Sequence, residues 1–203
     1  MSTVEETAAA IRAGKLAIVP TDTVYGLAAA SGELASRSLY RLKGRDEHQP
    51  TALVLESVER LLEIVPELRG DGEMTIRNLL PGPYTLVLAN PAHRFSWLTG
   101  GRPDAIGVRV PVLVGAAREL IGAVGALVAT SANLPGEAPA RSLDELPRSL
   151  LDGVAAVLDG GTLDGVPSTV LDLTGAAPVV LREGVVRAAD ALACARGTPA
   201  TTS

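Results

Sequence analysis

Short apolar segments recur along the 203-residue chain, and segments with helical periodicity separate most of them. Eight segments have the length and composition of buried strands: 16–20, 51–55, 84–89, 105–110, 125–130, 154–159, 168–173 and 178–183. Six segments place apolar side chains on one face of a helix: 4–13, 33–43, 57–65, 72–80, 113–122 and 143–151. Alternating strands and helices, followed by closely spaced strands, favour an α/β fold, a three-layer sandwich on a twisted mixed sheet.

The chain length suits one compact domain, and the sequence contains neither an internal repeat nor an interdomain linker. Hydrophobic residues make up 47% of the chain, which is enough for a sizeable core. Aromatic residues contribute only 2%, so Ala, Val, Leu and Ile must fill that core. We expect the domain to span residues 1–193 and the segment 194–203 to form a flexible tail.

Composition also argues against several classes of protein. Five aromatic side chains are too few for a base-stacking platform, and the net charge of −5 disfavours a broad phosphate-tracking surface. The single cysteine, Cys194, cannot form an intrachain disulfide, and two histidines, His48 and His93, do not make a zinc site. No apolar run is long enough for a bilayer span, and the first residues lack a signal core, so we expect a cytoplasmic protein.

Positive charge is concentrated at the predicted end of the second helix, in Lys43-Gly44-Arg45. Gly44 suits a helix C-cap, and residues two apart in the extended chain beyond it point the same way. Lys43 and Arg45 could therefore converge on one phosphate, the first as a point charge and the second as a planar fork. The alternative is that both only satisfy the last helical carbonyls and the helix dipole.

Two further motifs place small polar groups at strand ends. In PTDTVYGL, an extended chain would put the hydroxyls of Thr21 and Thr23 on one side, where they could bind a small polar substrate. In TSAN, Ser131 and Asn133 follow an apolar strand at the edge where ligands of α/β sheets tend to bind. The alternatives are an ST-turn in the first motif and an Asx-turn in the second.

Two arginines lie in strands among apolar neighbours, Arg109 in GVRVP and Arg182 in LREG. Each needs a partner if it is buried, and each is an ordinary solvated residue if its strand is an edge. Ser168 ends a Gly-rich segment that lacks the Gly-Lys-Ser/Thr ending of a Walker loop, and it could contact a substrate. Neither a catalytic triad nor a carboxylate pair is apparent, so we expect catalysis by positioning and charge stabilisation.

Taken in order, seven motifs resemble those of the YrdC-type threonylcarbamoyl-AMP synthases. These motifs are PTDTVYGL, KGR, PGPYTLVL, GVRVP, ATSAN, GVPSTVLDL and VLREG, and the resemblance runs from about residue 4 to residue 190. Each motif is weak alone, whereas the ordered set with both KxR and SxN is highly specific. The resemblance implies a YrdC/RibB-like sandwich around a deep cavity, in the single-domain form, because the chain is too short for the C-terminal domain of larger members.

The resemblance also implies an activity. The family joins L-threonine, bicarbonate and ATP into threonylcarbamoyl-AMP and releases pyrophosphate. A separate complex then transfers the threonylcarbamoyl group to the tRNA adenosine beside the anticodon. Mg²⁺ would arrive with ATP, and no metal site built by the protein is expected.

Site residues follow from the positions that match the family motifs. The catalytic set would be Lys43, Arg45, Ser131 and Asn133. ATP would be bound by these four residues together with Gln49 and Arg182. L-threonine would be bound by Thr23, Arg109, Ala129 and Ser168.

The chain departs from the family pattern at several positions near these residues. Asp46 replaces a frequent Pro and brings a negative charge next to Arg45, and Val54 stands where some members use a His for threonine. Two alternative functions stay open. One is a non-catalytic module that binds double-stranded RNA or tRNA, or assists ribosome assembly. The other is a related enzyme that forms a carbamoyl-adenylate or hydrolyses nucleotides.

Overall fold

The computed structural model describes residues 1–46, 48–70 and 72–197. Its strands are β1 (Ala17–Pro20), β2 (Tyr25–Ala29), β3 (Ala52–Leu55), β4 (Tyr84–Ala89), β5 (Ala105–Arg109), β6 (Ala126–Ser131), β7 (Ala156–Val157), β8 (Thr169–Asp172) and β9 (Val179–Arg182). These strands form one mixed sheet in the order β7-β1-β2-β6-β3-β5-β4-β8-β9. Parallel pairing joins β1 with β7, β3 with β5 and β4 with β8, and the other pairs are antiparallel.

The α-helices are α1 (Val4–Arg12), α2 (Glu33–Lys43), α3 (Val58–Ile64), α4 (Glu73–Leu79), α5 (Gly115–Val124), α6 (Arg148–Asp152) and α7 (Ala188–Ala195). A capping box between Thr3 and Glu6 begins α1. Helix α2 ends at Gly44, whose φ of 65° is left-handed, so this glycine is the C-cap that the sequence predicts. No helix within the described ranges is both long and apolar enough to span a bilayer.

The sheet carries helices on both faces, which confirms the predicted three-layer α/β sandwich. Helices α2, α3, α4 and α7 cover one face over a large core that includes Leu27, Leu53 and Val108. On the opposite face, α1 and α5 pack over a smaller cluster with Val19 and Leu127. This second layer leaves the face of β4, β5 and β8 uncovered, and the resulting space becomes the cavity described below.

Two elements are absent from the sequence prediction. Strand β2 lies inside the PTDTVYGL motif and pairs with both β1 and β6, and all five of its residues are buried. Helix α7 ends with Ala195, which is 4% exposed, and the thiol of Cys194 donates to the carbonyl of Asn78. The tail expected at 194–203 therefore overlaps this packed helix by two residues, and its residues 198–203 lie outside the described part of the chain.

Candidate functional site

A cavity of about 750 Å³ lies over the half of the sheet that α1 and α5 leave open. Its floor is formed by short side chains of neighbouring strands, among them Ala52, Ala105, Gly107 and Ala129. Each of these residues alternates along its strand with one that belongs to the large core on the other face, as a period of two requires. The small floor residues leave room for a ligand, and polar side chains from the strand ends and loops form the walls.

Lys43 is brought to the carboxyl end of β6 by helix α2. Its ammonium donates to the backbone carbonyl of Ser131, to Oδ1 of Asn133 at 2.9 Å and to Oγ of Ser131 at 3.4 Å. Lys43 and Asn133 are only 6% and 9% exposed. The structure thus joins the KxR and SxN motifs, which are 88 residues apart in the chain, into one polar cluster.

Burial lowers the pKa of Lys43 from 10.5 to about 8, because desolvation disfavours the charged ammonium. The neighbouring Arg45 lowers it further, and the carboxylate of Glu137 opposes both effects. Lys43 is therefore a cation without a full complement of negative charge around it. An anionic ligand would supply that complement.

The titration of Lys43 gives the first testable prediction. The chain has two lysines, Lys15 and Lys43, so ¹³C-labelled lysine should give two side-chain resonances, which the Lys43→Met variant assigns. We expect the Lys43 resonance to titrate with a midpoint near pH 8. Addition of pyrophosphate should raise the pH of that midpoint, because a bound anion favours the charged ammonium. Because the unfolded chain keeps this proton to higher pH, the contribution of Lys43 to the free energy of unfolding should rise between about pH 8 and 10.5. A midpoint that pyrophosphate leaves unchanged would contradict an anion site here.

Arg45 leaves the α2 cap in extended chain and turns toward the same cluster. Its guanidinium donates to Oε1 of Gln49 at 2.9 Å, to Oγ1 of Thr130 at 2.9 Å and to the carbonyl of Pro50 at 2.7 Å. Burial lowers the pKa of Arg45. The carboxylate of Asp46 does not take part, since its Oδ1 accepts from the backbone N–H of His48 at 2.9 Å. The departure at Asp46 thus caps the following turn, and the fork of Arg45 is held by neutral oxygens.

The PTDTVYGL motif contains the ST-turn that the sequence offered as the alternative. Oγ1 of Thr21 accepts from the backbone N–H groups of Thr23 and Val24 and donates to the carbonyl of Val24. The two threonine hydroxyls nevertheless lie 3.2 Å apart, and both residues line the cavity. The turn therefore closes the β1–β2 hairpin and also presents the hydroxyls.

Arg109 lies at the end of β5 and has the partner that its burial requires. Its guanidinium forms an ion pair with Asp22, and the two side chains are 12% and 8% exposed. Asp22 Oδ2 and Arg109 Nε have no hydrogen-bond partner within the described residues. Burial raises the pKa of Asp22, and the charge of Arg109 opposes that rise. Arg109 lines the cavity with Asp22 behind it.

Ser168 and Arg182 meet where β8 and β9 pair. The guanidinium of Arg182 donates to the carbonyl of Ser168 at 2.8 Å and to its hydroxyl at 3.3 Å, and that hydroxyl lies 2.8 Å from Oγ1 of Thr85. Burial and the nearby charge of Arg109 both lower the pKa of Arg182. A Cβ on Gly184 would lie 2.1 Å from the carbonyl of Pro167, so only glycine permits this close approach.

The cavity also contains residues that the sequence reasoning missed. Asp22, Thr85, Thr130 and Glu137 contact the predicted residues or line the same space. Asp22, Thr85 and Thr130 lie inside quoted motifs, so the motifs held a signal for them. Glu137 lies outside the quoted motifs, and its place beside the cavity depends on segments that meet only in three dimensions. Val54, the departure from a His, is buried against α5 and reaches the cavity floor.

The chemistry of the cavity is that of an anion and polar-group receptor. Buried Lys43 and half-buried Arg45 donate to neighbouring residues of the TSAN segment, Lys43 to Ser131 and Asn133 and Arg45 to Thr130. Arg182 lies beside the hydroxyl of Ser168, within electrostatic range of Arg109. Such an arrangement can hold phosphates and a small polar molecule together and stabilise negative charge that develops between them.

Comparison with known proteins identifies relatives of this chain in sequence and in fold. The family model Sua5_yciO_yrdC, described as "Telomere recombination", matches residues 9–184. A threonylcarbamoyl-AMP synthase of Pyrococcus abyssi is 36% identical over 176 residues, which cover 86% of this chain and 52% of that protein. A Mycobacterium tuberculosis protein given the same name provisionally is 36% identical over 179 residues, which cover 87% and 82%.

A solved structure extends the comparison. The crystal structure of Pyrococcus abyssi Sua5 in complex with L-threonine superposes with a TM-score of 0.78 and 35% identity. The match covers 89% of this chain and 54% of that one. The chain thus spans about half the length of the archaeal relative and most of the mycobacterial one.

Proposed function

The chain belongs to the Sua5/YrdC family, and from this premise we propose that it is an L-threonylcarbamoyladenylate synthase, a nucleotidyltransferase. It would condense L-threonine, bicarbonate and ATP into threonylcarbamoyl-AMP with release of pyrophosphate. The product would serve the threonylcarbamoylation of the tRNA adenosine next to the anticodon, through a separate transfer complex in the cytoplasm. The relatives that carry the synthase name support this assignment.

One observation carries the proposal. A single cavity is lined by residues of the KxR/SxN cluster, with Lys43 directly behind its wall, and by Thr23, Arg109 and Ser168, although these residues are spread over five segments of the chain. Bond formation between two bound molecules requires that both sites open into the same space. The structure of the Pyrococcus abyssi protein contains L-threonine, which supports an amino-acid site in this cavity.

The residues divide between the two substrates. ATP would be bound by Lys43, Arg45, Gln49, Ser131, Asn133 and Arg182, and Mg²⁺ would enter as part of this substrate. L-threonine would be bound by Thr23, Arg109, Ala129 and Ser168, with its carboxylate on Arg109. Arg182 contacts Ser168 and lies near Arg109, which supports a place where the two substrates meet.

The reaction then needs little from the protein beyond position and charge. The amine of threonine becomes a carbamate either by combining with CO₂ and losing a proton or by combining with bicarbonate and releasing water. A carbamate oxygen attacks the α-phosphorus, the bond to the bridging oxygen of the β-phosphate breaks, and pyrophosphate leaves with that electron pair. Lys43, Arg45 and Arg182 would stabilise the charge that builds up on the phosphate oxygens.

Arg45 offers a direct test of the residues proposed to bind ATP. We expect Arg45→Ala to slow pyrophosphate release at least tenfold, which is about 1.4 kcal/mol of barrier. The matched control is Arg41→Ala on the exposed face of α2, where the side chain contacts Ser38 and lies away from the cavity. Equal rates for the Arg45→Ala variant and the unmodified protein would remove Arg45 from the mechanism.

The product identifies the function. ATP, Mg²⁺, bicarbonate and isotopically labelled L-threonine are incubated with the protein, and the reaction is analysed by mass spectrometry. We expect a species that contains both AMP and labelled threonine joined by one carbonyl group. Formation of AMP or ADP without this species would favour a nucleotide hydrolase. A carbonyl adduct of AMP without threonine would favour a carbamoyl-adenylate enzyme.

A further inference from the structure

The charged side chains that line the cavity are mostly cations, and two of them, Arg102 and Arg109, form ion pairs with Asp172 and Asp22. The walls of the cavity include four arginines, Arg45, Arg102, Arg109 and Arg182, and Lys43 lies directly behind the wall. Among the residues that the structure describes as lining this space, Glu137 is the one with a carboxylate. In a cavity that is expected to receive the negative charges of ATP, an acidic side chain should weaken binding unless it has a task of its own.

Glu137 is held in a defined place beside the KxR/SxN cluster. The side-chain amide of Asn133 donates to the backbone carbonyl of Glu137 at 2.7 Å, and the backbone N–H of Leu134 donates to Oε2 of Glu137 at 3.1 Å. Asn133 in turn accepts from Lys43. The second carboxylate oxygen, Oε1, accepts no hydrogen bond from the described part of the chain, and the residue is solvent-exposed at the wall.

The charge of Glu137 reaches the same cluster. Its carboxylate raises the pKa of Lys43 against the larger effect of burial, which places the two charges within electrostatic range. Asn133, which accepts from Lys43 and donates to the backbone carbonyl of Glu137, keeps Glu137 in the neighbourhood of the cation expected to contact phosphate. A carboxylate oxygen and the phosphate oxygens of a bound nucleotide can share a divalent metal ion.

Magnesium favours this kind of site. It usually keeps several waters and is bound by one or two carboxylates together with substrate phosphates, not by a cage made only of protein groups. Within the described ranges, no group of three or more His, Cys, Asp or Glu side chains could hold a metal ion by itself. A single carboxylate beside the KxR/SxN cluster, where the phosphates of ATP are expected, suits a metal ion that enters bound to ATP.

We propose that Glu137 supplies a protein oxygen ligand, direct or through one water, to the Mg²⁺ ion that ATP carries into the cavity. The inference rests on the proposed function, because it assumes that ATP binds at Lys43, Arg45 and Asn133. It makes residues 134–139 the part of the chain that distinguishes magnesium-bound ATP from free ATP. Glu137 would thereby offset the repulsion that its charge exerts on the phosphates.

Glu137→Gln separates this role from the alternatives. An amide oxygen can still accept from the N–H of Leu134, so the loop keeps its hydrogen bond while the charge is lost. The matched control is Glu119→Gln on the exposed side of α5, which changes the net charge equally and does not line the cavity. Binding of ATP is measured by equilibrium dialysis without threonine and bicarbonate, once with Mg²⁺ and once with a chelator.

The direction of each change decides the outcome. We expect Glu137→Gln to weaken binding of magnesium-bound ATP about tenfold or more, to leave metal-free ATP bound equally or more tightly, and to raise the Mg²⁺ concentration at half-saturation. Tighter binding in both conditions would show that Glu137 is only a repelling charge. Unchanged or equally weakened binding in both would reduce it to a loop contact, and either result overturns the inference while ATP binding still stands. An unmodified protein that binds neither form of ATP would overturn the proposed function as well.

Discussion

Replacing Lys43 by methionine is expected to lower the rate of pyrophosphate release by a factor on the order of 10² to 10³. Lys43 is the buried cation that joins α2 to the end of β6 through Ser131 and Asn133. Methionine fills a similar volume, but it removes the charge and leaves the oxygens of both partners without their donor. The effect should fall on the chemical step and on binding of ATP, because the same ammonium serves both.

The second lysine of the chain provides the control. Lys15 is exposed after α1, away from the residues that line the cavity, so Lys15→Met removes an equal charge without touching the site. A thermal-unfolding curve first establishes that each variant is folded. The rates of pyrophosphate release are then compared on separate, native samples. A Lys43→Met variant that is folded and retains more than about a third of the original rate would contradict a role for Lys43 in charge stabilisation.

Replacing Arg109 by methionine is expected to destabilise the protein by about 3 kcal/mol and to raise the threonine concentration needed for half-maximal rate. The loss of stability follows from Asp22, whose carboxylate is 8% exposed and would be left without its ion-pair partner. The loss of threonine affinity follows from the guanidinium, which faces the cavity and would pair with the carboxylate of the substrate.

These two effects of Arg109 can be separated. Asp22→Asn in the Arg109→Met background should restore much of the stability, since no buried charge is left unpaired, but it should not restore threonine affinity. The penalty of Arg109→Met alone should be smaller at pH 5 than at pH 8, because the buried carboxyl, whose pKa is already raised, can take up a proton. Arg148→Met, at an 86% exposed position on α6, is the control. Equal threonine affinity in all variants would place Arg109 outside the substrate site.

The sequence predicted most of the fold because hydrophobic periodicity is local. Strands such as β4 and β5 lie within the predicted ranges, since their residues alternate between the large core and the cavity floor. Strand β2 was not predicted because both of its faces are buried, which removes the alternation of apolar and polar residues, and because it follows the polar turn of the same motif. Helix α7 (Ala188–Ala195) was not predicted because its residues are mostly alanine, so its faces differ little in hydrophobicity.

Most residues that line the candidate site were singled out from the sequence, whereas their pairings were not. Lys43 and Asn133 were singled out from their places at a helix end and a strand end, and the contact between them needed the sheet to bring α2 and β6 together. Arg109 was expected to need a partner if buried. An extended conformation was assumed for PTDTVYGL, and on that assumption Asp22 was not identified as this partner. Because the chain turns at Thr21, the carboxylate of Asp22 reaches β5 instead.

The most direct test of the proposed synthase is pyrophosphate release from magnesium-bound ATP, with threonine and bicarbonate each present or omitted. We expect release only when both are present, because the attacking group is a carbamate made from the two. Release without threonine would contradict the proposal and indicate another acceptor or hydrolysis. A folded protein that releases no pyrophosphate under any of the four conditions would contradict it as well, and tRNA binding over a range of salt concentrations would then examine the non-catalytic alternative.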